Sequence, residues 1–288
     1  MLISILFAAQ SMALASTTPA SIAPVQAAPA DTAMVVDPCP PPAAPNSGRA
    51  AMVQTILTPN TAFTPPPVPL RDQPLTGQAA RDWPALCRYR TENAALTGPV
   101  RVVFMGDSIT ELWKAADPDF FTGGVVDRGI SGQTSAQMVL RFQQDVVALK
   151  PRAVHIMAGT NDVAGNTGPT TEQAYKDNIT AMATLAHANG IRVVIGAIPP
   201  AAHFWWAPAM KPAPQIVRLN HWLADYARRN GFVFVDYHRA LTASDGSLPP
   251  SFANDGVHPN RAGYAVMQAQ ARTALKPYLP PPSNGVRR

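Results

Sequence analysis

From about Pro99 onward, short apolar runs alternate with longer stretches in which apolar residues return every three or four positions. The runs Arg101–Met105, Val125–Asp127, Ala153–Ala158, Arg192–Ile198 and Phe232–Tyr237 have the length and apolar content of buried strands. The stretches between them read as helices. Ser135–Leu149 carries Val139, Phe142, Val146 and Leu149 on one face. Thr170–Asn189 opens with Thr170-x-x-Gln173, a capping-box pattern, and stops at Gly190. Gln215–Asn230 turns Ile216, Leu219, Leu223 and Tyr226 inward and stops at Gly231, and a last helix follows the N-cap Asn260 and runs to about Leu275 before Pro277. Strands joined through helices must be parallel, so the pattern predicts an α/β domain of three α/β/α layers.

The first 98 residues have a different texture. They hold 15 of the 31 prolines, with much Ala, Thr and Ser, a composition that cannot bury a core. Residues 28–81 therefore read as a Pro-rich linker or arm, with a polyproline-like stretch at Phe63–Pro69. Residues 82–98 turn helical, with Trp83, Leu86, Tyr89 or Arg90, and Asn93 at three-to-four spacing, as if packing against the domain at 99–280. A short tail, 281–288, closes the chain.

Met1–Ala15 is an apolar run ending in a small-x-small cleavage pattern at Ala13-Leu14-Ala15, with Val25-Gln26-Ala27 as the second option. It lacks a positive flank, since no charged residue precedes Asp31, and it falls short of the ~20 apolar residues of a membrane span. The reading is a signal peptide over 1–27, a secreted or periplasmic protein, and no stable membrane insertion. In such a compartment the two cysteines, Cys39 and Cys87, allow one disulfide or two thiols. They lack the spacing of a zinc site, and no metal is expected. Net charge is +5, but the basic residues are scattered without interleaved aromatics, which argues against nucleic acid as a partner. Nothing in the chain speaks to oligomeric state.

The candidate chemistry begins where the first strand ends, at Gly106-Asp107-Ser108-Ile109-Thr110, because α/β domains place their sites at the carboxyl ends of strands. An unactivated serine is a poor nucleophile and needs a base held in one tautomer by a carboxylate. Of six histidines, His155 sits in a strand pattern, His187 and His221 in helices, and His238 just past a strand. His258 alone has a carboxylate three residues earlier, in the turn Asp255-Gly256-Val257-His258-Pro259. Attack on an ester also creates an oxyanion that needs fixed donors. The Asn161 amide, in Gly159-Thr160-Asn161-Asp162, and the N–H groups of Gly132 and Ser108 stand at the same sheet edge. A G-x-S-x-G elbow is absent, and Ile109 occupies the place where a metallophosphoesterase would need a ligand.

These four blocks together resemble the SGNH hydrolases, the GDSL esterase/lipase superfamily, from about Val100 to Leu275. The matching residues are Ser108 in Gly-Asp-Ser-Ile, Gly132 in Gly-Ile-Ser-Gly, Asn161 in Gly-Thr-Asn-Asp and His258 in Asp-Gly-Val-His-Pro. The resemblance implies a flavodoxin-like fold with a five-stranded parallel sheet, Ser108 as nucleophile, His258 as base and Asp255 as its orienting carboxylate. It also implies an oxyanion hole of Ser108, Gly132 and Asn161, no cofactor, and a loop-holding role for Asp107.

The loop after the fourth strand, Pro199 to Trp206, should overhang this site. Its Trp205 and Trp206, with His203, read either as a surface for substrate or as a plug that holds the loop down. The expected substrate is a small-molecule or glycan ester, with short acyl groups on a carbohydrate favoured by export and by the lack of a long apolar lid. The alternatives are a lysophospholipase or thioesterase, and a non-catalytic carbohydrate-binding module of the cell envelope.

Overall fold

A computed structural model of the protein describes residues 39–40, 47–66, 77–168 and 170–280. The signal-peptide reading, the tail at 281–288 and the end of the polyproline reading lie outside these residues. By internal contacts the chain forms two units, Met1–Pro40 and Pro41–Arg288, and every element named below belongs to the second. Both cysteines are in disulfide form, and none is free among the described residues.

Five strands, β1 (Val102–Gly106), β2 (Val125–Gly129), β3 (Ala153–Met157), β4 (Arg192–Gly196) and β5 (Val233–Val235), make one sheet in the order β2-β1-β3-β4-β5. Every neighbouring pair is parallel. This is the expected flavodoxin-like topology. The helices are α1 (Ser47–Leu57), α2 (Gly77–Arg81), α3 (Arg90–Ala94), α4 (Ser108–Ala116), α5 (Ser135–Asp145), α6 (Thr160–Ala164), α7 (Glu172–Ala188), α8 (Ala213–Asn230), α9 (Tyr237–Leu241) and α10 (Arg261–Leu275).

Side chains alternate across a strand, so the sheet feeds two cores. Val103, Met105, Val154, Ile156, Val193 and Ile195 pack under α5, α7 and α8. Val102, Phe104, Met157, Val194 and Val235 pack under α1, α4, α9 and α10 on the other face. Trp113 of α4 anchors that second core, in ring contact with Phe104, Phe120, Tyr237 and Tyr264. The three layers follow from this division.

Several local expectations need correction. The arm contains α1, which buries Ile56 and Leu57 in the second core, so part of a Pro-rich segment does contribute to packing. Residues 82–89 form turns, and only Arg90–Ala94 is helical. The Asp82 carboxylate accepts from the Leu86 and Cys87 N–H groups, offering the backbone an alternative to the helix, and Ala85 takes a φ of 56°. Helix α5 ends at Asp145, and Val147–Leu149 tightens into a 3-10 turn. The cap of α7 is Thr171, whose hydroxyl accepts from Ala174 N–H at 3.0 Å; Thr170 precedes it. Asn260 caps α10 as expected, accepting from Ala262 and Gly263.

Candidate active site

The sheet register sets the stage. Gly106 of β1 lies level with Gly129 of β2 and with Met157 of β3, so the segments that follow all three strands emerge at one edge. Ser108 is the first residue of α4, and Asp107 caps that helix by accepting from Ile109 N–H at 2.9 Å. Ser108 N–H, in the first turn, has no acceptor within its own helix. The Ser108 hydroxyl meets His258 Nε2 at 2.9 Å, across 150 residues of sequence.

His258 is held from behind. Its Nδ1 lies 2.6 Å from Asp255 Oδ2, while Asp255 Oδ1 accepts from the backbone N–H groups of Val257 and His258 at 2.9 and 2.8 Å. A carboxylate partner makes Nδ1 the protonated nitrogen, which leaves the Nε2 lone pair facing Ser108. Gly256 permits the turn with a φ of 75°. Burial disfavours the charged imidazolium, but the charge and hydrogen bond of Asp255, and the charge of Asp107, outweigh it and raise the His258 pKa above 6.5. Burial likewise pushes Asp255 up, and His258 more than reverses this, so Asp255 ends below the ordinary carboxylate value.

The donors expected from the sequence are brought to the same edge, with one qualification. Gly132 sits at a φ of 81°, which L-residues rarely adopt. Its loop is tied down by Glu111, whose Oε2 accepts from Ser131 N–H at 2.9 Å and from the Ser131 hydroxyl at 2.5 Å. Arg49 of α1 and Arg88 lie 2.8 and 3.5 Å from the other oxygen of Glu111. The Asn161 amide is already engaged. Its Nδ2 donates to Gln133 O at 3.1 Å and, over a longer 3.3 Å, to Asp107 Oδ2. Burial pushes Asp107 up to about 6.

The matched family model spans residues 104–266 and describes a GDSL-like lipase/acylhydrolase family. The chain belongs to that family. A GDSL-like lipase from Bacteroides thetaiotaomicron VPI-5482 is 47% identical, with a TM-score of 0.66 over 68% of this chain and 100% of that one. A structure from Bacteroides fragilis NCTC 9343 is 46% identical, with a TM-score of 0.66 over 68% and 97% of the two chains. An uncharacterized lipoprotein of Bacillus subtilis (strain 168) is 34% identical over 74 residues, and the match spans 30% of that protein and 25% of this one. This GDSL hydrolase thus carries the family's four blocks on the fold they imply. Among its described residues, no helix is long and apolar enough to cross a membrane.

The overhanging loop resolves into two parts. Trp206 is 8% exposed, stacked on Phe204 at 5.0 Å and set 6.4 Å from the His258 ring, so it largely holds the loop down. Trp205 remains half-buried, crossing Trp206 at 81° and meeting Phe63 of the arm at 5.7 Å. His203 is exposed, beside Gly256. Glu111 and Asn166 escaped the sequence reading, in which Phe63 stood only at the start of a polyproline-like stretch. Asn166 lies only five positions beyond Asn161, but nothing in the spacing of Glu111 and Phe63 announces their partners.

Proposed function

We propose that this GDSL hydrolase is a serine-dependent carboxylic ester hydrolase that removes short acyl groups, acetyl above all, from a carbohydrate. The observation that carries the catalytic part is the unbroken chain Ser108 Oγ, His258 Nε2, His258 Nδ1, Asp255 Oδ2, with links of 2.9 and 2.6 Å. Ser108 attacks the ester carbonyl carbon as His258 Nε2 takes its proton. The carbonyl oxygen becomes the oxyanion, received by Ser108 N–H, Gly132 N–H and Asn161 Nδ2. The intermediate collapses, the bond to the alcohol oxygen breaks, and His258 returns the proton to the leaving alcohol. Water, deprotonated by His258, then attacks the acyl-enzyme, the free acid departs and Ser108 regains its hydrogen.

The substrate part is supported by the confined setting. Ser108 and His258 are each less than one-tenth exposed, which suits a small acyl group. The half-buried faces of Trp205 and Phe63 offer flat apolar surface of the kind a sugar ring packs on. On this reading His203, Trp205 and Trp206 border the substrate. Catalysis belongs to residues 99–280, preceded by an extension at 82–98 that is helical only over Arg90–Ala94, an arm at 28–81 and an export signal at 1–27.

Hydrolysis of p-nitrophenyl esters from acetate to decanoate, with Ser108→Ala alongside, tests both parts. The expected result is a Ser108-dependent rate that falls steeply beyond acetate, and release of acetate from an acetylated oligosaccharide. A maximum at long chains moves the substrate to a lysophospholipid or thioester. Equal rates in enzyme and Ser108→Ala overturn the assignment.

A further inference from the structure

One side chain reaches the base and the oxyanion amide together. Trp206 lies against the His258 ring on one side, and on the other its indole N–H donates to Asn166 Oδ1 at 2.8 Å. Asn166 Nδ2 in turn donates to Asn161 Oδ1, and Asn166 N–H donates to Asn161 O at 3.1 Å.

An amide side chain has a donor end and an acceptor end of nearly equal size, so its orientation is chosen by its partners. An indole N–H can only donate. It therefore presents Asn166 Oδ1 to Trp206 and turns Asn166 Nδ2 toward Asn161. That donor selects Asn161 Oδ1, and the Asn161 NH2 is left to face Gln133 O and Asp107, the cap of the helix that Ser108 opens.

We infer that Trp206 is a positioning residue for the oxyanion donor: through Asn166 it orients the Asn161 amide toward the reacting oxygen. The inference rests on the esterase reading above. In the resting site Asn161 is also steered by Gln133 and Asp107. When the oxyanion takes over the N–H that Asp107 holds, one of those supports is gone and the donation from Asn166 carries more of the load. Hydrogen bonds in such a chain polarise one another, so the Asn166 contact strengthens as charge develops on the substrate oxygen. An interaction that grows only in the transition state acts on kcat and spares KM.

Steady-state hydrolysis of p-nitrophenyl acetate by the full chain decides the matter, with folding of each variant checked by circular dichroism. Trp206→Phe keeps a ring against His258 and removes the N–H. It is expected to lower kcat about tenfold while KM stays within about twofold. In an Asn161→Ala background the same substitution should change kcat by less than about twofold, because the amide it orients is gone. Asn166→Asp keeps the acceptor for Trp206 and removes the donor to Asn161; it should reproduce the kcat loss, and it carries the test if Trp206→Phe does not fold. A rise in KM with unchanged kcat makes Trp206 a wall for substrate and overturns the inference. So does a tenfold loss that persists in the Asn161→Ala background. Absence of Ser108-dependent turnover in the unsubstituted enzyme removes the esterase reading and the inference with it, whereas turnover with additive effects removes the inference alone.

Discussion

Asp255 acts on His258 at two points: one oxygen fixes the backbone of the turn and the other fixes the ring. The same contacts stabilise the imidazolium and set the pH at which the base becomes available. With its pKa raised above 6.5, His258 is protonated and unable to accept the Ser108 proton at lower pH. The rising limb of kcat/KM should therefore have its midpoint above pH 6.5. Asp107 contributes to that elevation. Asp107→Asn keeps an acceptor for Ile109 N–H but loses the charge, so the midpoint should move to lower pH. A midpoint unchanged or raised in that variant, read from a pH–rate profile, would count against Asp107 as a source of the shift. The D-x-x-H pairing was legible in the sequence because both partners belong to one tight turn. The resting engagement of Asn161 was not, since Gln133 and Asp107 approach it from segments 28 and 54 residues away.

At the scale of elements, α1 and the turns before α3 reach the site through a single carboxylate. Arg49 and Arg88 bracket Glu111 of α4, and Glu111 grips the loop that carries Gly132. Removing the grip in Glu111→Ala should let the Gly132 N–H wander and lower kcat for p-nitrophenyl acetate about tenfold. Glu111→Gln retains an acceptor for Ser131 and should lose less. Full activity in Glu111→Ala would show that the loop holds its place without it. The five strands and the long helices were visible in the hydropathy period. Helix α4 was not legible although Ile109, Leu112 and Trp113 have helical spacing, because it starts at Ser108, two residues past β1, and its apolar positions run on from those of the strand. Helix α1 was hidden by its Pro-rich surroundings, although Met52, Val53, Ile56 and Leu57, which pack on the second core, recur at helical spacing.

In the molecule as a whole, buried ionisable groups have opposite effects on acid stability. His155 of β3 is fully buried beside Phe104 and bonded to the Tyr237 hydroxyl at 3.0 Å, and burial drives its pKa down to about 3. Between about 6.5 and 3 the unfolded chain binds a proton here that the folded one refuses, so stability falls as pH falls, by up to about 1.4 kcal/mol per pH unit. Asp107 and Asp127, raised by burial to about 6 and about 7, work in the other direction from near 7 down to the ordinary carboxylate range. Comparing urea midpoints of the protein and His155→Gln from pH 6.5 to 4 isolates the histidine. The variant, with no proton to gain, should lose less stability on acidification, and equal losses would remove His155 as the cause.

The sequence by itself determined the alternation of strands and helices, the parallel sheet, the edge where chemistry gathers, and the Asp255–His258 pair. Each is written in hydropathy or turn chemistry within a few residues. Only the tertiary structure decided that Trp206 is mostly buried, that Asn166 and Gln133 orient Asn161, and that Arg49 reaches Ser131 across 82 residues. Those contacts depend on which polar atoms are left facing one another once the two cores have closed. No local pattern carries that information, because a hydrogen bond depends on distance and angle and is indifferent to sequence separation.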